Sequence, residues 1–475
     1  MTALTPTEND AEPRQPRRRF QPSYFQVLFF VYMTLSLLIF TFLVPPFQKS
    51  DETAHFHRAV SLTNLDFFCS KDAKGEYFFP MKRKYAELPD VLHTFDVSFH
   101  YENKFDSHWL HPDLSDPKYN EEALVYRFCS LPIPGYLPNS LGILAGKLSP
   151  NPLVSFYLGR LFGALFFAAA VVFALRKVPD RYRPIIYLYA ALPIVLHQVS
   201  AISYDAVQLS LFPLLFAYLT RFVTQDERIR PRDLLIFMAL LLWVVNVRLF
   251  SYFPLLLLFL VIEHAKMAPT WPRYLVIAGG FFLVTGAITA LFDLIYLPRA
   301  ADSAPAGFGI DAAAQVQFVL HHPWAFFEAC YNTMKAQRGE GLSRETVAVF
   351  GWIDYTLNYV PYYLFFALEA VVVYRTALLD RVALRPLQIF FLFATIALTA
   401  LSLFFSLYAV WTPVGINIID GLQGRYFLGL LPLSIFLISQ VVVYFGRRQA
   451  AMGLLTIVGV VLLFNMYRAV MLRYY

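Results

Sequence analysis

The sequence predicts an all-α polytopic integral membrane protein with about eleven transmembrane helices, and three observations lead there. Of its 475 residues, 58% are hydrophobic and 15% charged, against roughly 25% charged in soluble domains. Apolar runs long enough to cross the hydrocarbon core at about 1.5 Å per residue recur along the chain. Arginines gather in alternate short loops between those runs, which orients the spans. A net charge of +6 could point to nucleic acid in a soluble domain. Here the basic residues border spans, so they set orientation and no nucleic-acid partner is expected.

Residues 1–24 form a basic tail, with Arg14, Arg17, Arg18 and Arg19 just before the first span. The apolar stretch 25–44 is too long for a signal peptide and lacks a small-residue cleavage site, so it is expected to remain as span one. Pro45-Pro46 ends it, because proline has no N–H to continue the helix. Residues from about 46 to 150 hold no crossing run. They are expected as a large outer loop with short interfacial helices and surface segments such as Leu131-Pro-Ile-Pro-Gly-Tyr136.

Span two covers about 154–175 and ends in Arg176-Lys177. Spans three and four, about 184–200 and 205–222, turn at Ser200-Ala-Ile-Ser-Tyr-Asp205. Spans five and six, about 233–247 and 249–264, turn at Asn246-Val-Arg248. Both pairs are short enough to be re-entrant. Span seven (274–297) leads to a second outer loop, 298–350. Spans eight (357–375), nine (386–410) and ten (425–445) follow, then a last near 450–470. The arginine-rich loops share a face with the N-terminus, which the positive-inside rule makes cytoplasmic. Cys69, Cys129 and Cys330 then all fall outside, where a Cys69–Cys129 disulfide and independent thiols both fit.

Four polar constellations converge on the outer interface. Asp51-Glu52-x-x-His55 follows span one, and on a helix Glu52 and His55 share a face. One carboxylate could serve as general base toward a hydroxyl, while its neighbour orients the acceptor or a divalent cation. The plainer reading is that the acidic pair caps an interfacial helix and His55 is a hydrogen-bonded bystander. Asp205 is either an N-cap or a substrate-binding group. Arg248 either snorkels or holds a phosphate with its planar fork of donors. In Gly421-Leu-Gln423-Gly424-Arg425-Tyr426, two glycines let the backbone approach a ligand and Arg425 is a second phosphate candidate. Gln423 and Tyr426 complete that substrate-binding group. No Walker loop, CxxC pair, HExxH or nucleophile elbow is present. Asp293 and Glu369 lie within spans, where a proton relay and simple pairing both explain them.

Lys49-Ser-Asp51-Glu52-Thr-Ala-His55-Phe-His57-Arg58, Ser200-Ala-Ile-Ser-Tyr-Asp205, Phe350-Gly-Trp352-Ile-Asp354 and Leu422-Gln423-Gly-Arg425-Tyr426-Phe427 occur in this order. Together they resemble the bacterial multispanning family catalogued as domain of unknown function 2142, over about residues 25–445. That family in turn resembles the GT-C glycosyltransferases, whose acidic motif lies in the first outer loop and whose sugars come from polyprenyl-phosphate donors. The Asp51-Glu52-x-x-His55 run is similar to the acidic-pair-then-histidine run of the protein O-mannosyltransferases.

The resemblance implies an inverting transferase of a bacterial inner membrane with its active site facing outward. Asp51 would be catalytic base, with Glu52 and His55 positioning the acceptor. The expected partners are a polyprenyl-phosphate sugar, a glycan or glycolipid acceptor, and membrane lipid. A transporter or flippase of a lipid-linked saccharide is the rival. It would need polar groups along a crossing path, whereas here they concentrate at one face.

Overall fold

The computed structural model describes residues 24–444, apart from 99, 101, 127–130, 249, 302–308, 337–339, 348, 352–354, 357–358 and 380–383. The basic tail, the last expected span, Cys129, Trp352 and Asp354 therefore lie outside the described residues.

Six described helices are long and apolar enough to cross a membrane: Tyr24–Leu43, Pro152–Lys177, Tyr204–Thr224, Trp271–Tyr296, Pro386–Val410 and Gly424–Val443. The first runs as α-helix to Leu38, widens into a π-type turn over Ile39–Leu43, and stops at extended Val44 before the two prolines. Helix Pro152–Lys177 begins where the Asn151 side chain accepts from the Leu153 N–H and ends in Arg176-Lys177, a cationic finish that suits the C-terminal dipole. Tyr204–Thr224 is the most deeply buried of the six and forms the centre of the bundle.

The expected third and sixth spans are broken into shorter pieces, and the fifth is as short as its apolar run. Segment 184–200 is two helices, Arg183–Ala190 and Pro193–Val199, because Pro193 cannot donate to the preceding turn. The expected fifth is Pro231–Val245, only 15 residues. The sixth is a 3-10 turn, Phe253–Leu257, followed by Leu258–Val261. At about 1.5 Å per residue none of these crosses a bilayer as one straight helix.

The two long loops add small sheets to a helical fold. Ser70–Lys71, Tyr77–Lys82 and Glu122–Val125 pair antiparallel in that order, with Phe79 opposite Val125 and Lys82 opposite Glu122. Val349–Phe350 pairs with Tyr355–Thr356. The first loop opens with helix Glu52–Thr63, whose Arg58 is fully buried. That guanidinium donates to the carbonyls of Leu131, Asp66 and Phe67 and to Ser61 Oγ, tying distant parts of the loop together. Cys69 is disulfide-bonded and Cys330 is free.

The 131–136 segment goes inside. Tyr136 is fully buried in a cluster with Phe47, Phe56, Phe79 and Phe156, separate from the main bundle core. Gly135 packs so closely on Tyr204 that an added Cβ would lie 2.6 Å from the tyrosine Cβ. The Trp243 indole donates to the Pro134 carbonyl at 3.0 Å.

Candidate functional site

Chain direction separates the two ends of the bundle. At one end Asp233, beginning Pro231–Val245, pairs with Lys177 and Arg221 in the last turns of the helices before it. At the other end the first span stops and helices Pro152–Lys177, Tyr204–Thr224 and the 3-10 turn Gly424–Leu430 begin. The predicted site residues gather at this second end.

Glu52 opens helix Glu52–Thr63 and is fully buried. Its carboxylate takes two bonds from Arg160, Nε to Oε1 at 2.8 Å and Nη2 to Oε2 at 2.5 Å, plus the Ile202 N–H at 3.1 Å. The other Arg160 donors reach the carbonyls of Thr41, Val44 and Pro45. All five N–H groups of the guanidinium are therefore used. Beside it, buried Lys49 donates to the carbonyls of His197 and Ser200. Burial first, and then the neighbouring Arg160 charge, push the Lys49 ammonium well below its ordinary range, while Glu52 opposes them. Glu52 thus faces the architecture of the turn.

Asp51 sits one residue earlier at φ 60°, a left-handed conformation unusual outside glycine. It occupies the N-cap position, yet its side chain caps nothing. The carboxylate, 51% exposed, lies 3.4 Å from Arg425 Nη2. Arg425 Nη1 is 3.8 Å from Asp205 Oδ2 and 3.3 Å from Gln198 Oε1. Arg425 is itself only 8% exposed, and its Nε has no hydrogen-bond partner. Asp205 is likewise buried and is not the cap of its helix. That role belongs to Ser203, whose Oγ accepts from the Asp205 N–H.

His55 joins from the fourth position of the same helix. Its Nδ1 lies 2.6 Å from Tyr136 Oη and its ring packs edge-on against Tyr204. Burial lowers the imidazole to about 4, with Asp51 and Asp205 opposing, so the ring is neutral near pH 7. Arg248 stacks over Tyr426, 4.1 Å from guanidinium carbon to ring centre, and stands 5.7 Å from Tyr204. Its buried Nη1 has no hydrogen-bond partner. The guanidinium of Arg425 also lies near the Tyr426 ring, at 5.3 Å.

An open cleft of about 240 Å³ runs beside Arg425, walled by Ser50, Gln198, Glu345, Gly351 and Gln423. Ser50 Oγ donates to the Gly351 carbonyl, and Glu345 Oε2 accepts from the Gly424 N–H at 2.6 Å. A Cβ at Gly424 would lie 2.1 Å from the Leu342 carbonyl oxygen, so only glycine lets the second long loop close on this turn. Burial raises the Glu345 carboxyl, while the Gly424 N–H and Arg425 oppose. Among the described residues no group of three or more His, Cys, Asp or Glu is placed to hold a metal ion.

The structure therefore brings together Asp51, His55, Asp205, Arg248, Gln423, Arg425 and Tyr426, and turns Glu52 away. Sequence reasoning missed Arg160, Lys49, Gln198 and Glu345. Arg160 carried a signal, being a lone charge inside an apolar run. Lys49 stood within the acidic motif, overshadowed by its carboxylates. Gln198 and Glu345 carried none, because their importance comes from contacts with residues 227 and 79 positions away.

Residues 34–434 match the family model described as "Predicted membrane protein (DUF2142)". No curated protein and no solved structure matches the chain. The matched residues take in most of the chain and every motif that builds the cleft, and the chain belongs to this DUF2142 family of predicted membrane proteins.

Proposed function

We propose that the cleft is the active site of an inverting GT-C-type glycosyltransferase of a bacterial inner membrane. It would move a sugar from a polyprenyl-phosphate donor to an outward-facing glycan or glycolipid. An acceptor hydroxyl attacks the anomeric carbon as the carbon–oxygen bond to phosphate breaks. The hydroxyl proton passes to Asp51 and polyprenyl phosphate leaves. Arg425 and Arg248 meet the charge on the departing phosphate, the kind of preorganised electrostatic stabilisation such displacements need. His55, neutral and hydrogen-bonded to Tyr136, positions the helix that carries Asp51. Glu52 does so through Arg160.

The observation that carries this reading is Arg425, nearly buried yet incompletely satisfied, set between half-exposed Asp51 and buried Asp205 beside an open cleft. An arginine held only by bonds of 3.3 Å or longer can exchange a carboxylate for a phosphate at little cost. The site's place at one end of the bundle suits a donor whose lipid stays in the membrane while its head group emerges.

The test is release of polyprenyl phosphate from a panel of polyprenyl-phosphate sugars by purified protein in detergent, wild type against Asp51→Asn. Release by the wild type alone supports the reading. Equal release by Asp51→Asn removes Asp51 as base. Donors carried across vesicle membranes but never cleaved would replace transfer with transport.

A further inference from the structure

The second long loop contributes one wall of the cleft, and nothing in the transfer chemistry above requires it. Glu345 ends the short helix Glu340–Glu345. One of its oxygens holds the Gly424 N–H, whereas Oε1 makes no hydrogen bond among the described residues. Across the same cleft the Gln423 side chain also makes none, although its backbone carbonyl accepts from Tyr426. Arg425, more than nine-tenths buried, leaves Nε without a partner. Glu345, Gln423 and Arg425 thus line one small open space, and each carries a polar group that the described fold leaves unpaired. Of the three, only the Arg425 donor is buried, and a buried donor without a partner among the described residues is uncommon in a fold that needs no ligand, whereas the Glu345 and Gln423 groups are half-buried.

The three groups differ in what they accept. The guanidinium takes an anion. A carboxylate oxygen rejects anions and accepts hydroxyl donors. The amide can serve either way. Their combination fits an anionic group joined directly to a polyol, and the cleft that they line is open on one side, so the rest of a ligand can extend out of it.

We propose that Glu345, with Gln423, forms a hydroxyl-reading subsite that selects a glycosyl phosphate over bare phosphate, the anion itself resting on Arg425. Resting on the transferase reading for its biological setting, this subsite names Glu345 as the residue that discriminates the sugar. Glu345 has a second duty, since its bond to Gly424 places the Arg425 turn. The carboxylate therefore couples the sugar end of the ligand to its phosphate end.

The experiment is equilibrium binding to the full chain in detergent, using inorganic phosphate and a panel of α- and β-linked hexose 1-phosphates. The expected result is a preference of at least about tenfold for one or more hexose phosphates, the discrimination expected of a site with one good hydroxyl acceptor. Glu345→Ala should reduce that preference to near one, and Gln423→Ala should reduce it partially. Glu345→Gln keeps one oxygen for the Gly424 N–H and presents an NH2 in place of the free carboxylate oxygen, so it should still bind phosphate but lose much of the preference, which separates recognition from a misplaced Arg425 turn. Arg425→Gln should weaken phosphate and hexose phosphate alike. The proposal is overturned if wild type binds phosphate and every hexose phosphate equally, or if the preference survives in both Glu345→Ala and Gln423→Ala. Selective binding without any release of polyprenyl phosphate would instead sink the transferase reading and leave the subsite standing.

Discussion

Asp51 and Glu52 are neighbours in sequence, and each faces an arginine, but the two pairs are built differently. The Glu52–Arg160 pair is dry, two-pronged and short, with every guanidinium donor used and the end of span one wrapped around it. The Asp51–Arg425–Asp205 group is long-bonded, open on one side, and leaves a donor idle. Buried charge that is fully satisfied belongs to the architecture, and removing one member strands the other in a low-dielectric interior. Charge that is held loosely beside a cleft stays available to a ligand. The difference separates a residue that makes the site from one that acts in it.

The largest effect should come from breaking the tight pair. Arg160→Ala leaves the buried Glu52 carboxylate without its cation, held by the Ile202 N–H, a loss of about 3–5 kcal/mol. It should appear as failure to purify or as a steep fall in melting temperature in detergent. A variant that melts like wild type would mean that Glu52 is not confined as the geometry requires.

Acid should strain the same helix next. Burial brings the His55 and His57 imidazoles from an ordinary 6.5 down to about 4. Between those values the unfolded chain binds protons that the folded chain refuses. Stability is therefore full above about pH 6.5 and declines as pH falls toward 4, by a few kcal/mol for the pair. Melting temperature against pH measures this directly. In a His55→Gln, His57→Gln protein the slope across that window should flatten.

Gly424→Ala tests the loose side. The new methyl would collide with the Leu342 carbonyl and the Glu345 Cβ, at a cost of about 1–3 kcal/mol for such overpacking. Donor affinity should fall through displacement of Arg425, with the Glu52–Arg160 end unaffected. Unchanged donor affinity would show that the second long loop does not set the arginine.

The smallest change in stability is expected for Asp51→Asn. A half-exposed pair at 3.4 Å contributes less than about 1 kcal/mol, so melting should scarcely move. Transfer should nevertheless be lost. A large drop in melting temperature would place Asp51 with Glu52 as a structural residue and erase the contrast.

Much of this site was legible before any coordinates. The helix after span one, the turn at Asp205 and the Gly-Arg-Tyr turn each announced themselves as polar groups where an apolar run stops. Less legible was the division of labour within Asp51-Glu52. Helical spacing placed Glu52 with His55, but which arginine each carboxylate meets depends on how span one leans against Pro152–Lys177. The breaks in the third and sixth expected spans were hidden for a related reason. Apolar runs report what is buried, and a segment such as Pro193–Val199 is buried by neighbouring helices whether or not it reaches across the membrane.

By itself the sequence determined that this chain lives among apolar surroundings, where the long spans stop, and that its polar groups collect at one end. Those are consequences of composition and of proline and charge position, which act locally. Only the tertiary structure decided that Arg160 seals Glu52, that Arg425 bridges Asp51 and Asp205, and that Glu345 closes the cleft from the second long loop. Such pairings join residues up to 374 positions apart. They follow from packing geometry, which fixes distance and solvent access and so decides whether a carboxylate is a strut or a reactive group.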